Sequence, residues 1–480
     1  MIKCTVINSN EDECMKYKKR KLNMIWLLTV VSTMLLGVSL LYNRLIPWQY
    51  KLGVFVVAFL YMIVAKRRVK KWLQLILSGV LVILSVFLVY TQSVTDRIFT
   101  DFDKDKSLVA FAVLKDSPIQ SIEDTVGKTF GYSDSLDQEL YVHIVADLRD
   151  NHSIAMTAVK KSNDFALLDS LYRQEVDVMI MDKAYWETLE EHDESFASKI
   201  RIIHEIEKEV LREEIVKEVN VDRDSFVVYV SGIDVEGPIT LRSRSDVNML
   251  MVINPRTGKI LTVSMPRDLY VPLACKNNAM DKLTHSGIYG VNCTVQSMEQ
   301  FLGLDINYYA RLNFTSFIQI VDVLGGVDFY NPHTFTSWTH KVQFTAGNVR
   351  LNGFEALEYV RERKSFTEGD GMRIQNQQRV IQAIIRKAIS PGSLLRIEDI
   401  LKQVSKSVDT NISGNNIQKL VRLQINKLID WEFESAVITG SDAFRQTYSV
   451  PGRDLYVSLP NMDSVNEARQ IIVKFMNEGK

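Results

Sequence analysis

The sequence predicts three membrane-spanning helices followed by a large α/β region. Apolar residues are concentrated in three stretches of the first ninety positions, and short strand-like runs alternate with helix-periodic segments further along. The formal net charge of the 480-residue chain is -1, which gives no overall bias towards nucleic acid. The four cysteines form no Cys-x-x-Cys pair, which argues against a zinc ribbon or a thioredoxin motif.

The apolar stretches cover residues 24–42, 45–65 and 72–90. Each is long enough to cross a bilayer core, which takes about 20 helical residues. A cleaved signal peptide would have one shorter apolar core and no further spans behind it, and three such runs in a row argue against buried core helices. The sequence therefore predicts a multi-pass membrane anchor within residues 24–91.

Basic residues predict the orientation of this anchor. They cluster in 16–21, before the first span, and in 66–71, between the second and third spans, whereas the intervening loop region has only Arg44 and Lys51. Under the positive-inside rule, residues 1–23 form a cytoplasmic basic tail and the chain beyond 91 lies outside the cell. The basic clusters face anionic lipid in this reading rather than nucleic acid.

Residues 98–215 predict a small extracytoplasmic α/β accessory domain. An apolar run at 176–181 is typical of a strand, and 165–174 has helical spacing. The phrases SIEDTVGKTFGY and LLDSLYRQEVDVMIMD resemble half of an extracellular solute-binding domain but contain no ligand-specific residue. We interpret this domain as an accessory or partner-docking module, and the charged segment 205–219 as a solvated linker helix.

Residues 222–480 predict a second outer domain that begins with three strands, SFVVYVSGID, VNMLMVINP and KILTVSMPRD. The short PRTG turn makes the second and third strands an antiparallel hairpin, which brings Asp246 close to Arg267. If the first strand also pairs antiparallel with the second, Asp234 joins these two residues. Arg244 lies two residues before Asp246, so its side chain can point the same way.

A second group of polar residues follows in LNGFEALEYVRERKSFTEGDGMRIQNQQRVIQAII. After a helix at 351–357, an extended segment would put Arg361 and Arg363 on one face. Arg373 and Gln377 are four residues apart on the next helix, and Arg373 is in its first turn, where free backbone N–H groups favour anions. The cluster predicts a phosphate site more strongly than it predicts ordinary surface salt bridges.

Four ordered blocks, SRSDVNMLMV, SMPRDLYV, FTSFIQIVDVLGGVDF and LNGFEALEYVRERKSFTEGDGMRIQNQQRVI, resemble the LytR-CpsA-Psr family. The three spans and the accessory domain resemble its capsule-locus members, the CpsA (Wzg) type. The resemblance implies an α/β/α catalytic domain with a central mixed sheet and a lipid-lined pocket. It also implies transfer of a phosphorylated glycan, here capsular polysaccharide, from a polyprenyl pyrophosphate to peptidoglycan, with Mg²⁺ or Mn²⁺ and with other capsule-assembly proteins as partners.

The resemblance also implies roles for individual residues. Asp234 and Asp246 match the metal carboxylates, and with Arg267 they are the catalytic candidates. Asp370 matches an acidic residue that orients an arginine. The pyrophosphate clamp is matched by Arg244, Arg267, Arg361, Arg363, Arg373 and Gln377.

The predicted topology puts Cys275 and Cys293 outside the cell, where no other cysteine lies, and predicts a disulfide between them. Two buried free thiols are the alternative. His285 lies between them and is interpreted as a polar loop residue rather than a metal ligand, with Lys282 at most near the acceptor. The segments WEFESAVITG and RDLYVSLP are expected to close the same sheet.

Two questions stay open at this point. One is whether a set of helix-spaced apolar residues lines a lipid tunnel or forms ordinary core: Met298, Phe301, Leu302, Phe314, Phe317, Ile318, Val321 and Leu324. The other is the activity itself. A non-enzymatic regulator of capsule synthesis or transcription and a polyprenyl-pyrophosphate phosphatase are the alternatives to a transferase, although the short basic tail has no helix-turn-helix pattern.

Overall fold

The computed structural model describes residues 10–44, 46–97, 104–136, 138–211, 215–233, 239–367, 369–394 and 396–479. The chain divides into two compact units. One contains the first hundred residues together with 413–429, and the other contains 101–412 and 430–480. Residues 413–429 thus group with the membrane helices, although they lie within the predicted catalytic domain.

The first unit is built on three long apolar helices. They are α1 (Asn10–Tyr42), α2 (Trp48–Arg68) and α3 (Lys71–Arg97). Leu36 and Leu40 of α1 pack against Ala58 of α2 and Leu88 of α3. By length and composition all three helices can cross a membrane, which confirms the predicted spans. The helix Gly414–Lys427 contacts α3 in the same unit.

The second unit begins with a five-stranded sheet in the order β3-β2-β4-β1-β5. Its strands and helices are β1 (Lys104–Leu114), β2 (Thr129–Ser133), α4 (Gln138–His152), β3 (Thr157–Lys161), α5 (Asp164–Tyr172), β4 (Val178–Asp182), α6 (Trp186–His192), α7 (Phe196–Lys199) and β5 (Ile200–Leu211), with 3₁₀ turns at Ile122–Thr125 and Lys183–Tyr185. The linker helix predicted over 205–219 is wrong, because residues 205–211 are the second half of β5 and residues 215–219 form no helix. Strand β5 pairs antiparallel with β1 at the edge of the sheet, where Glu205, Glu207 and Glu209 are exposed and Ile206 is buried.

Beyond β5 the described residues contain fourteen strands and eight helices, of which the helix Gly414–Lys427 belongs to the first unit and the others to the second. They are β6 (Phe226–Ile233), β7 (Ser245–Asn254), β8 (Lys259–Met265), β9 (Tyr270–Leu273), β10 (Ala279–Lys282), α8 (Val291–Leu302), β11 (Tyr308–Asn313), α9 (Phe314–Val323), β12 (Val327–Asn331), β13 (Phe335–Thr336), β14 (Gln343–Phe344), β15 (Gly347–Leu351), α10 (Gly353–Arg361), α11 (Asp370–Ala388), α12 (Pro391–Leu394), α13 (Ile397–Ser407), β16 (Asp409–Thr410), α14 (Gly414–Lys427), β17 (Glu432–Val437), β18 (Gly440–Gln446), β19 (Asp454–Pro460) and α15 (Met462–Asn477). Two 3₁₀ helices, Ala274–Lys276 and Leu283–Tyr289, lie between these elements.

Six strands form a mixed central sheet in the order β16-β11-β6-β7-β8-β17. The three central strands are antiparallel, as predicted, and Met249 of β7 lies opposite Val230 and Ser264. Strand β17 closes one edge in parallel with β8. The prediction that RDLYVSLP belongs to the same sheet is wrong, since that segment is β19, which forms a separate hairpin with β18.

Alternation along the strands gives the sheet two buried faces. Leu250 and Val252 join a core with α8 and α15, which contribute Met298 and Ile472. Helix α11 covers the other face, where Gln378 Nε2 donates to Ser264 Oγ at 3.0 Å. Each fully buried large apolar side chain stabilises such a core by roughly 1.5–3 kcal/mol. The result is the predicted α/β/α arrangement with a mixed sheet.

Candidate functional site

A cavity of about 350 Å³ opens on the α11 side of the central sheet. Its apolar lining includes Val230, Met249, Phe314, Phe317 and Ile381. Its polar lining includes Asp246, Arg267, Arg361, Arg363, Arg373 and Gln377. Most of the charged residues predicted from separate sequence blocks therefore line one cavity, which also has an apolar wall.

Asp246 lies at the start of β7 and is held by two donors. Arg267, just after β8, donates from Nη1 to Oδ2 at 2.9 Å, and Thr284 Oγ1 donates to Oδ1 at 3.1 Å. Burial opposes ionisation of this carboxyl, but the charges of Arg267, Arg244 and Arg373 outweigh it and lower the pKa of Asp246. The cavity therefore holds an ionised carboxylate within a cationic group.

Arg267 has a donor that the protein leaves unused. Burial acts to lower the pKa of its guanidinium, yet the charges of Asp246, Asp268 and Asp370 raise that pKa above its ordinary value. Its Nε is buried without a hydrogen-bond partner among the described residues, although Asp268 Oδ2 lies 3.6 Å away. A buried donor of this kind calls for an explanation, such as a bound ligand, an ion or a water molecule.

Arg373 occupies the first turn of α11, behind Gly369, whose φ of 52° is readily adopted by glycine. Its Nη2 contacts Asp370 Oδ1, and its Nε is buried without a hydrogen-bond partner among the described residues. The side chain is 11% exposed, and this burial lowers the pKa of Arg373. Two buried guanidinium donors and a helix N-terminus thus lie at one cavity, and groups of these kinds are the ones that bind anions in proteins.

Arg361 and Arg363 line the cavity, but the backbone that carries them differs from the prediction. The expectation of an extended segment is wrong, because α10 stays helical through Arg361. The guanidinium of Arg361 lies 4.1 Å from the centre of the Phe314 ring, within cation–π range. Gln377, one turn after Arg373, donates from Nε2 to the carbonyl of Val360 at 3.4 Å.

Arg244 does not line the cavity. Its Nε donates to Glu187 Oε2 at 2.5 Å and its Nη1 to Glu191 Oε2 at 3.3 Å. Both carboxylates belong to α6 of the accessory module, so Arg244 points to that module although its charge still acts on Asp246. Asp234, the other predicted carboxylate, lies outside the described residues.

Glu191 was not singled out from the sequence, yet it connects the accessory module with the region that contains the central sheet. It accepts from Lys282 Nζ at 2.9 Å and lies 3.5 Å from His285 Nε2. Lys282 is buried here rather than free near an acceptor. His285 is completely buried rather than part of a polar loop, because the 3₁₀ helix Leu283–Tyr289 packs it beside Asp281, 2.6 Å from its Nδ1.

The same segment contains a disulfide. Cys275 and Cys293 are bonded, with 5.2 Å between their Cα atoms. Residues between them form β10 and a 3₁₀ helix, so the segment is more ordered than its lack of periodicity indicated.

The apolar residues left open above lie in several environments. Phe314 and Phe317 line the cavity, whereas Met298 and Leu302 lie in the core on the opposite face of the sheet. Val321 and Leu324 belong to two further buried clusters. Trp338 also lines the cavity, near the ammonium groups of Lys341 and Lys364, and no sequence pattern pointed to it.

The donor set of the cavity fits a hard divalent ion. Asp246 and Glu362 are the carboxylates in its described lining. Both oxygens of Glu362 accept backbone N–H groups, those of Ser365 at 2.9 Å and Trp338 at 2.5 Å. Asp246 also accepts two hydrogen bonds, but its donors are the side chains of Arg267 and Thr284 rather than backbone groups. Because side chains can rotate away, Asp246 is the candidate ligand, and magnesium commonly binds through one or two carboxylates and substrate phosphates.

A sequence model of the LytR_cpsA_psr family matches residues 196–465, more than half of the chain. The chain belongs to the LytR-CpsA-Psr family. A second model, that of an ABC transporter phosphonate periplasmic substrate-binding protein, matches residues 103–218, which cover the accessory module. This match agrees with the solute-binding resemblance seen in the sequence.

Relatives of this LytR-CpsA-Psr protein include two named polyisoprenyl-teichoic acid--peptidoglycan teichoic acid transferase TagU. The Bacillus mycoides protein is 36% identical over 43% of this chain and 70% of its own. The Bacillus subtilis protein is 36% identical over 46% and 71%. Similar solved structures include Bacillus subtilis TagV (25% identity, TM-score 0.45, 54% of this chain and 99% of that one) and TagT bound to LI-WTA (29%, 0.44, 54% and 94%).

Proposed function

We propose that this protein is a glycopolymer phosphotransferase that moves a phosphorylated glycan from a polyprenyl pyrophosphate carrier to peptidoglycan. The observation that carries the proposal is the pair of buried, unused guanidinium nitrogens of Arg267 and Arg373 beside Asp246. The names of the TagU relatives support a polyisoprenyl-linked donor and a peptidoglycan acceptor.

The proposed reaction breaks one phosphoanhydride bond. An acceptor hydroxyl oxygen bonds to the phosphorus on the glycan side, and the bond from that phosphorus to the bridging oxygen breaks. Polyprenyl monophosphate leaves, and the hydroxyl proton passes to this leaving phosphate or to solvent. Such a step needs positioning and charge stabilisation more than covalent catalysis. Arg267 and Arg373 offer fixed donors to the phosphate oxygens as charge develops there, and Arg361 and Arg363 extend the cationic wall.

A divalent cation, Mg²⁺ or Mn²⁺, belongs to the same proposal. Asp246 would hold it, with Asp234 as the second carboxylate implied by the family blocks. When bound, the ion would neutralise charge on the pyrophosphate oxygens. Asp246 is kept ionised for this task by its arginine neighbours, because they lower its pKa.

The apolar wall supplies a place for the lipid part of the donor. Phe314 and Phe317 lie beside the arginines, so the phosphates and the first isoprene units can occupy one cavity. A phosphatase with water as acceptor would use the same clamp. Product analysis with and without peptidoglycan fragments therefore separates the two reactions.

We propose capsular polysaccharide as the cargo, on the strength of the three spans and the accessory module. The test offers labelled polyprenyl-pyrophosphoryl capsular glycan and the corresponding teichoic acid donor with peptidoglycan fragments. Faster transfer of the capsular glycan is expected. Faster transfer of teichoic acid would overturn the cargo while leaving the transferase proposal intact.

The orientation proposal places residues 1–23 in the cytoplasm and the chain from 91 onward outside, on the basis of the flanking basic residues. Protease added to wall-stripped cells should digest the large outer region and spare the basic tail. Protection of the large region would contradict this topology.

A further inference from the structure

A cluster of metal-ligating side chains lies in the accessory module, apart from the cavity. Asp147 and His152 are on the last turns of α4, and His204 is on β5. One ligand atom from each residue lies within 4.8 Å of the other two. None of these residues takes part in the proposed transfer reaction.

Two of the three side chains, His152 and Asp147, have an outer polar partner. His152 places Nδ1 3.1 Å from Glu123 Oε1 and Nε2 3.9 Å from Asp147 Oδ2. Asp147 Oδ1 accepts from Asn151 Nδ2 at 2.7 Å, so its Oδ2 remains for the centre. The His152 and His204 rings meet edge to face with 4.9 Å between their centroids.

A plain ion pair explains this arrangement poorly. The 3.9 Å between His152 Nε2 and Asp147 Oδ2 is too long for a hydrogen bond. An ion pair between Asp147 and His152 also gives no reason for the imidazole of His204 to lie at the same point. A carboxylate on the far nitrogen of a histidine is the usual outer partner of a metal-bound imidazole, and Glu123 occupies that place.

We propose that Asp147, His152 and His204 bind a zinc-type divalent cation, with Glu123 orienting His152. Two imidazoles and one carboxylate are ligands that zinc accepts, with water as the fourth. Ligand atoms about 2.0–2.1 Å from zinc in a tetrahedron lie about 3.3 Å apart, so small side-chain rotations close the present separation. The ion would join α4, β5 and the 3₁₀ turn Ile122–Thr125.

The test uses the full-length protein in detergent, stripped with chelator and titrated with Zn²⁺ alone. Asp147→Asn, His152→Gln and His204→Gln are compared with the wild type. His143→Gln, on the same helix but outside the cluster, is the matched control. Asp246→Asn distinguishes this site from the cavity, and Co²⁺ absorption reports tetrahedral coordination at the site.

We expect one zinc equivalent in the wild type, in His143→Gln and in Asp246→Asn. Binding should weaken by about a hundredfold in His204→Gln and by about tenfold or more in Glu123→Gln. Circular dichroism of the metal-free proteins checks that the variants are folded. Absence of zinc binding by the wild type, or unchanged binding in folded His204→Gln and Asp147→Asn, would overturn the proposal.

Discussion

Arg267 donates from Nη1 to Oδ2 of Asp246 at 2.9 Å, across the ends of adjacent antiparallel strands. The start of β7 meets the end of β8 at this point, where Asn248 lies opposite Met265. The carboxylate and the guanidinium therefore sustain each other's charge. A change at either residue alters the charge available for both the anion and the cation of the proposed reaction.

Replacement of the cavity arginines should remove transfer without unfolding the protein. Arg267→Ala and Arg373→Ala are each expected to lower kcat/KM by about a hundredfold or more, because each removes a fixed donor from the developing charge. Arg267→Lys should recover only part of the rate, since lysine does not reproduce the guanidinium fork. Arg379→Ala, on the same helix as Arg373, is the control; near-normal turnover in both cavity variants would contradict the clamp.

Transfer should depend on a divalent cation through Asp246. Excess chelator is expected to abolish product formation, and Mg²⁺ or Mn²⁺ should restore it. Asp246→Asn should raise the metal concentration needed for half-maximal rate, because a neutral amide binds a hard cation less strongly. Full activity in excess chelator would show that transfer needs no metal. An unchanged metal requirement in Asp246→Asn would show that the ion binds to other residues.

The contacts of Glu191 predict a pH-dependent stability. Burial acts to lower the pKa of His285, but Asp281 and Glu191 outweigh it and raise that pKa above 6.5. This stabilisation is fully present below about pH 6.5 and is lost as the pH rises through the raised value. Burial opposes ionisation of Glu191 as well, but His285 and Lys282 lower its pKa. Its stabilisation is therefore present above about pH 4.5 and is lost as the pH falls.

Melting temperatures across this range should therefore be highest between about pH 4.5 and 6.5. Glu191→Gln should lower the melting temperature and weaken its pH dependence, whereas the exposed Glu194→Gln should behave as wild type. Identical pH profiles for Glu191→Gln and wild type would show that this contact contributes nothing to stability.

The disulfide should stabilise the outer region. Reduction, or the double change Cys275→Ala and Cys293→Ala, is expected to cost about 3 kcal/mol of unfolding free energy in the chain-entropy model for a loop of this size. Mass spectrometry of non-reduced protein should find both thiols blocked. Two alkylatable thiols in the native, air-exposed protein would refute the bond.

The sequence was most informative where local patterns determine pairing. The PRTG turn predicted the β7–β8 hairpin, and with it the meeting of Asp246 and Arg267. The helical state of Arg361 was missed because the alternation of Tyr359, Arg361 and Arg363 with Val360 and Glu362 was interpreted as an extended segment, whereas α10 continues through Arg361.

Contacts between distant segments were less accessible from the sequence. Arg244 was placed in the clamp because it precedes Asp246 by two residues, but Glu187 and Glu191, more than fifty residues earlier, hold its guanidinium. Phe317 and Met298 have similar helical spacing, yet one lines the cavity and the other the core. Periodicity identifies a buried face but not what covers that face.

The proposed reaction transfers the phosphorus atom next to the glycan to peptidoglycan together with the glycan. The donor is labelled at the phosphate next to the glycan and incubated with the wild-type protein, divalent cation and peptidoglycan fragments. Transfer predicts that the label enters peptidoglycan in a phosphodiester and that unlabelled polyprenyl monophosphate is released. Label recovered only as free glycan phosphate, whether or not peptidoglycan is present, would contradict the account.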